Sequence, residues 1–161
     1  MSAGPGGGSD ESDGAEPDGT GADEAAFDPD AVHRMLREDA ASTSLGIELV
    51  LLGPGTATVR MTVRDDMVNG HDIGHGGYVF LLADTAFACA CNSRGPVTVA
   101  AGADITFVAP AGRGDVLTAT AVERTRFGRS GLYDVTVRSA TGVVAEFRGR
   151  SRSGRSRSRG T

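Results

Sequence analysis

The sequence contains no lysine; its 16 lysine-plus-arginine positions are all arginine. That excludes Schiff-base catalysis at lysine and a phosphate-binding P-loop, which needs its own lysine. The bias reads first as a compositional habit and only second as chemistry. Cysteine is scarce as well. Cys89 and Cys91 sit two apart inside an apolar run. This spacing excludes a disulfide framework and a Cys-x-x-Cys zinc or redox site, and it reads as reduced thiols of a cytoplasmic protein. No run of 18 apolar residues occurs, so no membrane span is expected. The N-terminus lacks a basic stretch followed by an apolar one, so it does not read as a secretory signal. Gly-x-Ser-x-Gly is missing, which disfavours a serine-hydrolase elbow.

What is present is unevenly spread over the 161 residues. Residues 1–26 carry a charge of −7, residues 27–147 carry −4 and residues 148–161 carry +6. The first segment is rich in Gly, Asp and Glu, has almost nothing to bury, and is expected to be disordered. Residues 27–150 form the expected folded domain, long enough for one core. Residues 151–161 alternate Arg with Ser and Gly and read as a flexible tail. Charge would let that tail touch the phosphates of RNA or of a ligand. The net charge of −5 argues against a body built to bind nucleic acid.

Asp28-Pro29 is a capping pair that opens a short amphipathic helix to about Ala41, with Val32, Met35, Leu36 and Ala40 at helical spacing. Residues 45–52 and 56–63 form a hairpin about Gly53-Pro54-Gly55. A polar loop from Arg64 to Gly74 leads to His75-Gly76-Gly77-Tyr78. The apolar run 79–91 follows and stops at Asn92-Ser93-Arg94-Gly95-Pro96. Its Ala content, length and stop signal predict a helix, apolar on nearly every face and therefore buried. Four strand-like segments come next, at 97–108, 115–126, 132–140 and 143–150. The economical packing is α+β: an antiparallel sheet of about six strands wrapped around one buried helix. The sheet covers one side of that helix. The rest needs a second subunit or the N-terminal helix.

Two features of the helix can carry chemistry. Asp84 has Phe80, Leu81, Phe87 and Ala88 as its helical neighbours. A carboxylate there is costly to bury, and desolvation raises its pKa toward the range of a general base. A structural Asp that caps a backbone group or pairs with Arg is an equally weighted reading. Gly76 and Gly77 allow close approach to backbone N–H groups that lack helical partners, a site for a developing oxyanion. Glycines that merely open a helix beside a crowded neighbour are the plainer alternative. The two features lie eight residues apart, about 12 Å along a helix. One chain therefore cannot bring both to one carbonyl. Two antiparallel helices of a symmetric dimer can. His71, Asp72 and His75, with His33 elsewhere, offer too few ligands for a metal. Cys89 lacks a nearby His to act as a nucleophile.

The stretch Asn69-Gly70-His71, His75-Gly76-Gly77, Leu82-Ala83-Asp84-Thr85-Ala86-Phe87-Ala88, Asn92 and Gly95 resembles the signature of the hotdog-fold acyl-CoA thioesterases. The nearest branch is the PaaI-like one, named for phenylacetic acid degradation. Ile105-Thr106-Phe107, Pro110, the segment from Gly114 to Ala119, and residues 142–149 are similar too, so the resemblance covers about residues 30–150. It implies a hotdog fold and hydrolysis of acyl-CoA thioesters, (hydroxy)phenylacetyl-CoA above all, with no cofactor beyond the CoA of the substrate. It implies Asp84 as general base on water or as nucleophile through a mixed anhydride. The Gly76 N–H would polarise the thioester carbonyl, with Asn69 and His75 positioning the thioester or the helix entry. Gly77 and Phe80 are expected to line the substrate site. Ala109 stands before Pro110 where a close relative often carries Arg, so Arg126 or Arg129 is the candidate for the CoA phosphates. The family works as homodimers with shared sites, often paired into tetramers. Three alternatives stay open: a non-catalytic CoA-ester-binding module, a thioesterase for short or medium acyl chains, and an RNA contact through the Arg-Ser tail.

Overall fold

The backbone is ordered by one helix that the sequence makes apolar and one sheet that wraps it. The structure is a computed structural model describing residues 26–154. Its elements are α1 (Pro29–Glu38), α2 (Ala40–Ser44), β1 (Glu48–Gly53), β2 (Thr56–Thr62), a 3-10 turn (Asp65–Met67), α3 (Gly76–Asn92), β3 (Thr98–Phe107), β4 (Val116–Phe127), β5 (Ser130–Ser139) and β6 (Gly142–Ser153). The strands form one antiparallel sheet in the order β1-β2-β4-β5-β6-β3. Expected and observed architecture agree: six strands and a central helix. The expected disorder of residues 1–26 falls almost wholly outside the described residues, as does the end of the Arg-Ser tail.

Alternation along the strands places the core. Ala57, Val59 and Met61 of β2, Leu117, Ala119 and Ala121 of β4, and Tyr133, Val135 and Val137 of β5 are buried against α3. From α3 they meet Val79, Leu82, Ala83, Ala86, Phe87 and Ala90. Phe87 packs edge-on to Tyr133 with ring centroids 5.4 Å apart. A β-carbon at Gly149 would lie 2.8 Å from that ring. Glycine in β6 is thus what lets the largest fully buried side chain of the helix lie against the sheet.

Three expectations need correction. The N-terminal helix does not run to Ala41; it breaks at Asp39, whose side chain caps α2 by accepting from the Ser42 N–H. The first strand starts at Glu48, not at residue 45, because Gly46 adopts φ +68° and turns the chain. Strand β6 runs to Ser153, past the boundary expected at 150. Arg152 and Ser153 pair with Val99 and Thr98 of β3, and the buried Ser151 faces inward while Arg150 and Arg152 face solvent. Within one chain α3 keeps an open face, as expected of a helix that the sheet covers on one side. Gly77 and Phe80 are exposed and Leu81, Asp84 and Ala88 half-buried, and helical spacing puts these five on one stripe. Edge strand β3 beside it has no partner on its outer side among the described residues, and Val97, Val99, Phe107 and Val108 at and around it are exposed.

Candidate active site

The polar loop before α3 is held as a rigid platform. Asn69 accepts on Oδ1 from the His71 N–H (2.9 Å) and the Ile73 N–H (3.4 Å). Its backbone N–H donates to the Ile73 carbonyl at 2.8 Å. Asp72 sits at φ 61°, a conformation Asp tolerates in turns. Arg113 ties the loop down from the far side, donating to Asp72 at 2.7 Å and Asp65 at 3.2 Å. Because Oδ1 of Asn69 is taken up by its own loop, the side-chain Nδ2 is the donor left without a partner among the described residues.

The loop delivers the chain to α3. His75 is the N-cap, and its Nδ1 accepts from the Gly77 N–H at 3.0 Å. Gly77 therefore has no free donor to offer a substrate. The Gly76 N–H finds no acceptor among the described residues. Gly76 and Asn69 line one cleft of about 480 Å³ whose walls are Ile73, Val79, Phe107, Val108, Pro110 and Val144. A β-carbon at Gly76 would lie 2.8 Å from Phe107 Cζ. The bare backbone of Gly76 thus packs under an aromatic ring. A free N–H at the positive end of a helix, in an apolar cleft, can stabilise charge developing on a carbonyl oxygen.

Asp84 is half-buried on the open stripe, and no hydrogen bond or ion pair to it is found among the described residues. Burial pushes its carboxyl above the ordinary carboxylate range, and the negative charge of Asp39 adds to the effect. The reading of Asp84 as a capping or Arg-paired structural residue has no contact to support it. Gly76 and Asp84 do lie on one continuous helix, so the separation of about 12 Å stands. Within one chain the two do not meet.

The remaining expected residues are more scattered. Phe80 lies on the open stripe between Gly76 and Asp84, edge-on to Phe147 at 5.3 Å. Arg126 belongs to β4 and Arg129 to the following turn; with Arg94 they border a notch beside Cys91 and Thr98, at the C-terminal end of α3. In the same chain that is the end opposite Gly76. No cluster of three or more His, Cys, Asp or Glu side chains placed to share an ion occurs among the described residues. Burial raises the Cys89 and Cys91 thiols to about 12, so neither is poised as a thiolate. Phe107, Val108 and Val144 escaped sequence reasoning because they reach the cleft only through the pairing of β3 with β6. A larger open groove of about 540 Å³ lies on the outer face of the sheet. Its Arg148 and Arg124 are already paired with Asp134, so we place the site at the smaller, apolar cleft.

Residues 71–146 match the Thioesterase superfamily. Over 120 residues the chain is 47% identical to the acyl-coenzyme A thioesterase PaaI of Escherichia coli K12, covering 74% of this chain and 86% of that protein. The solved structure of E. coli PaaI, from the phenylacetic acid degradation operon, superposes with a TM-score of 0.76 at 43% identity, over 78% of this chain and 92% of that one. A mutant of the phenylacetic acid degradation protein PaaI from Thermus thermophilus gives a TM-score of 0.70 at 38% identity, over 72% of this chain and all of its own, 100%.

Proposed function

The chain belongs to the thioesterase superfamily, among the PaaI-like acyl-coenzyme A thioesterases, and from that premise we propose that it hydrolyses aryl-acetyl-CoA esters such as phenylacetyl-CoA. It is a hydrolase acting on thioester bonds. The observation that supports the mechanism is the pairing of two unsatisfied groups on one helix. One is a free N–H at Gly76 in an apolar cleft; the other is an unpartnered carboxylate at Asp84 on the open face.

The two are brought together by a second copy of the chain. If two α3 helices lie antiparallel along their open stripes, Asp84 of the partner subunit faces Gly76. The same contact covers Phe80 and Leu81. The free edge of β3, an unpaired row of N–H and C=O groups flanked by exposed apolar residues, favours the same association. Dimers of this kind can pair further into tetramers.

In the proposed reaction the thioester carbonyl oxygen points at the Gly76 N–H, with Asn69 Nδ2 close by as a second donor. Asp84 of the partner subunit takes a proton from water, and the hydroxide adds to the carbonyl carbon. The oxyanion collapses and expels the CoA thiolate, which regains the proton from the carboxyl group. In the alternative route the carboxylate itself attacks and expels the CoA thiolate; water then hydrolyses the anhydride, which frees the acid and the Asp84 carboxylate and supplies the thiolate's proton. A thioester is reactive enough for one carboxylate and one or two oxyanion donors. His75 holds the helix entry. The antiparallel pairing also carries Arg126 and Arg129 of the partner subunit past the helix start, where the CoA phosphates would emerge. The test is thiol release over short, medium, long and aromatic acyl-CoAs. Hydrolysis strongest with phenylacetyl-CoA supports the reading. A preference for short or medium alkyl chains moves the substrate class. Binding without thiol release overturns the hydrolysis.

A further inference from the structure

Beneath Asp84 runs a chain of polar contacts that none of the residues assigned to the reaction explains. Asp39, at the junction of α1 and α2, accepts on Oδ1 from the Ser42 N–H (2.9 Å) and on Oδ2 from the Ser42 hydroxyl (2.6 Å). Ser42 Oγ lies 3.0 Å from Thr85 Oγ1, and Thr85 Oγ1 lies 2.9 Å from the Leu81 carbonyl. Ser42 and Thr85 are buried. Since the Ser42 proton is committed to a carboxylate, Thr85 must donate to Ser42, in competition with its own helix carbonyl. An outside element therefore grips the turn of α3 from Leu81 to Thr85, which presents Asp84. A cap for the five-residue α2 would need only the backbone contact to Asp39.

We propose that Asp39 is a positioning residue for hydrolysis: through Ser42 and Thr85 it fixes the turn that carries Asp84. Its negative charge acts on the same carboxylate from outside the helix, adding to the effect of burial. The proposal rests on the reading of Asp84 given above. The charged surroundings of Asp84 are simple. Asp39 faces it from the α1–α2 junction and opposes its ionisation. On α3 itself the Cys91 thiol is raised by burial, by Cys89 and in part by Asp84. The sheet faces α3 with apolar side chains and with Tyr133, which packs on Phe87 further along the helix.

Asp39→Asn isolates the charge. Its amide oxygen still caps Ser42, and its amide nitrogen donates to Ser42 Oγ. Ser42 then donates to Thr85, and Thr85 to Leu81. The contacts survive with every proton reversed, and only the negative charge is lost. Ser42→Ala does the opposite, keeping the charge and cutting the tether. The experiment measures the pH dependence of kcat/KM on phenylacetyl-CoA and, on the full-length protein, the NMR titration of the Asp84 carboxyl carbon. In Asp39→Asn both the acid limb and the titration move to lower pH, and Asp39→Glu restores them. Ser42→Ala leaves the titration in place and lowers kcat by about tenfold, with KM little changed. If Asp39→Asn moves neither curve while the unmodified enzyme hydrolyses thioesters and Asp84→Asn does not, Asp39 is only a helix cap and the proposal is wrong. If the unmodified protein hydrolyses nothing, the reading of the site fails instead, while the carboxyl titration still reports whether Asp39 governs Asp84.

Discussion

Replacing Gly76 by alanine and by proline separates the two things that glycine provides. Both substitutions add a β-carbon. Built on the backbone, it lies 2.8 Å from Phe107 Cζ, 3.1 Å from Cε1 and 3.3 Å from Cε2, so the ring must move. Phe107 is 53% exposed, and the contacts are at its outer end. Swinging it aside costs about 1 kcal/mol, the order of an off-rotamer side chain. Only proline also removes the N–H. The backbone accepts it: Gly76 is the first residue of α3, a favoured position for proline, and His75 before it holds φ −64° and ψ 131°. No internal hydrogen bond is lost, since the Gly76 N–H has no acceptor among the described residues. The two variants should therefore melt within about 1 kcal/mol of each other. In thiol release from phenylacetyl-CoA, proline should turn over about 10²–10³ more slowly than alanine, the loss measured when one oxyanion donor is deleted, or about 3–4 kcal/mol. Adding Phe107→Ala to the alanine variant relieves the steric part and should raise its rate. Equal rates for alanine and proline would refute the oxyanion role of this N–H.

Other outcomes follow from the same contacts. Asp84→Asn should lower kcat by about 10²–10⁴, the usual worth of a general base, without loss of stability. The sign is fixed by linkage. A carboxyl whose folded pKa is raised favours the folded state below its unfolded pKa, and that contribution is lost as pH rises through the folded value. Near neutral pH the charge is a burden, so thermal melting there should show Asp84→Asn as stable as the parent or more so. A clear destabilisation would mean that the carboxylate has a structural partner. Arg126→Ala with Arg129→Ala should raise KM for phenylacetyl-CoA but not for a phenylacetyl thioester lacking the nucleotide; an equal change for both removes the phosphate contact. Gly149→Ala, with its β-carbon 2.8 Å from the buried Phe87 ring, should cost about 1–3 kcal/mol in denaturant unfolding.

The sheet and α3 were legible because their patterns are strong: period-two burial in β2, β4, β5 and β6, and an Ala-rich run with a Gly-Pro stop. The start of α3 at Gly76 was legible from the bare glycines before the apolar run, but not that His75 caps it from outside by accepting from the Gly77 N–H. The end of β6 was hidden because alternating Arg and Ser reads as a tail, although Ser151 and Gly149 face inward. In the site, Asp84 and Gly76 stood out from local chemistry alone. Phe107 and the Asp39–Ser42–Thr85 chain did not. They depend on contacts 31 and 43 residues distant in sequence, which no local pattern encodes.

The central claim is that each site draws its carboxylate from one protomer and its N–H donor from the other. Mixing the inactive Asp84→Asn protein with the inactive Gly76→Pro protein, and allowing subunits to exchange, tests it directly. Random exchange makes half of the dimers mixed, and each mixed dimer holds one intact shared site, so about a quarter of the unmodified activity should return. If the two residues act within one protomer, both sites of every mixed dimer stay damaged, and confirmed exchange with no recovery of thiol release contradicts the account.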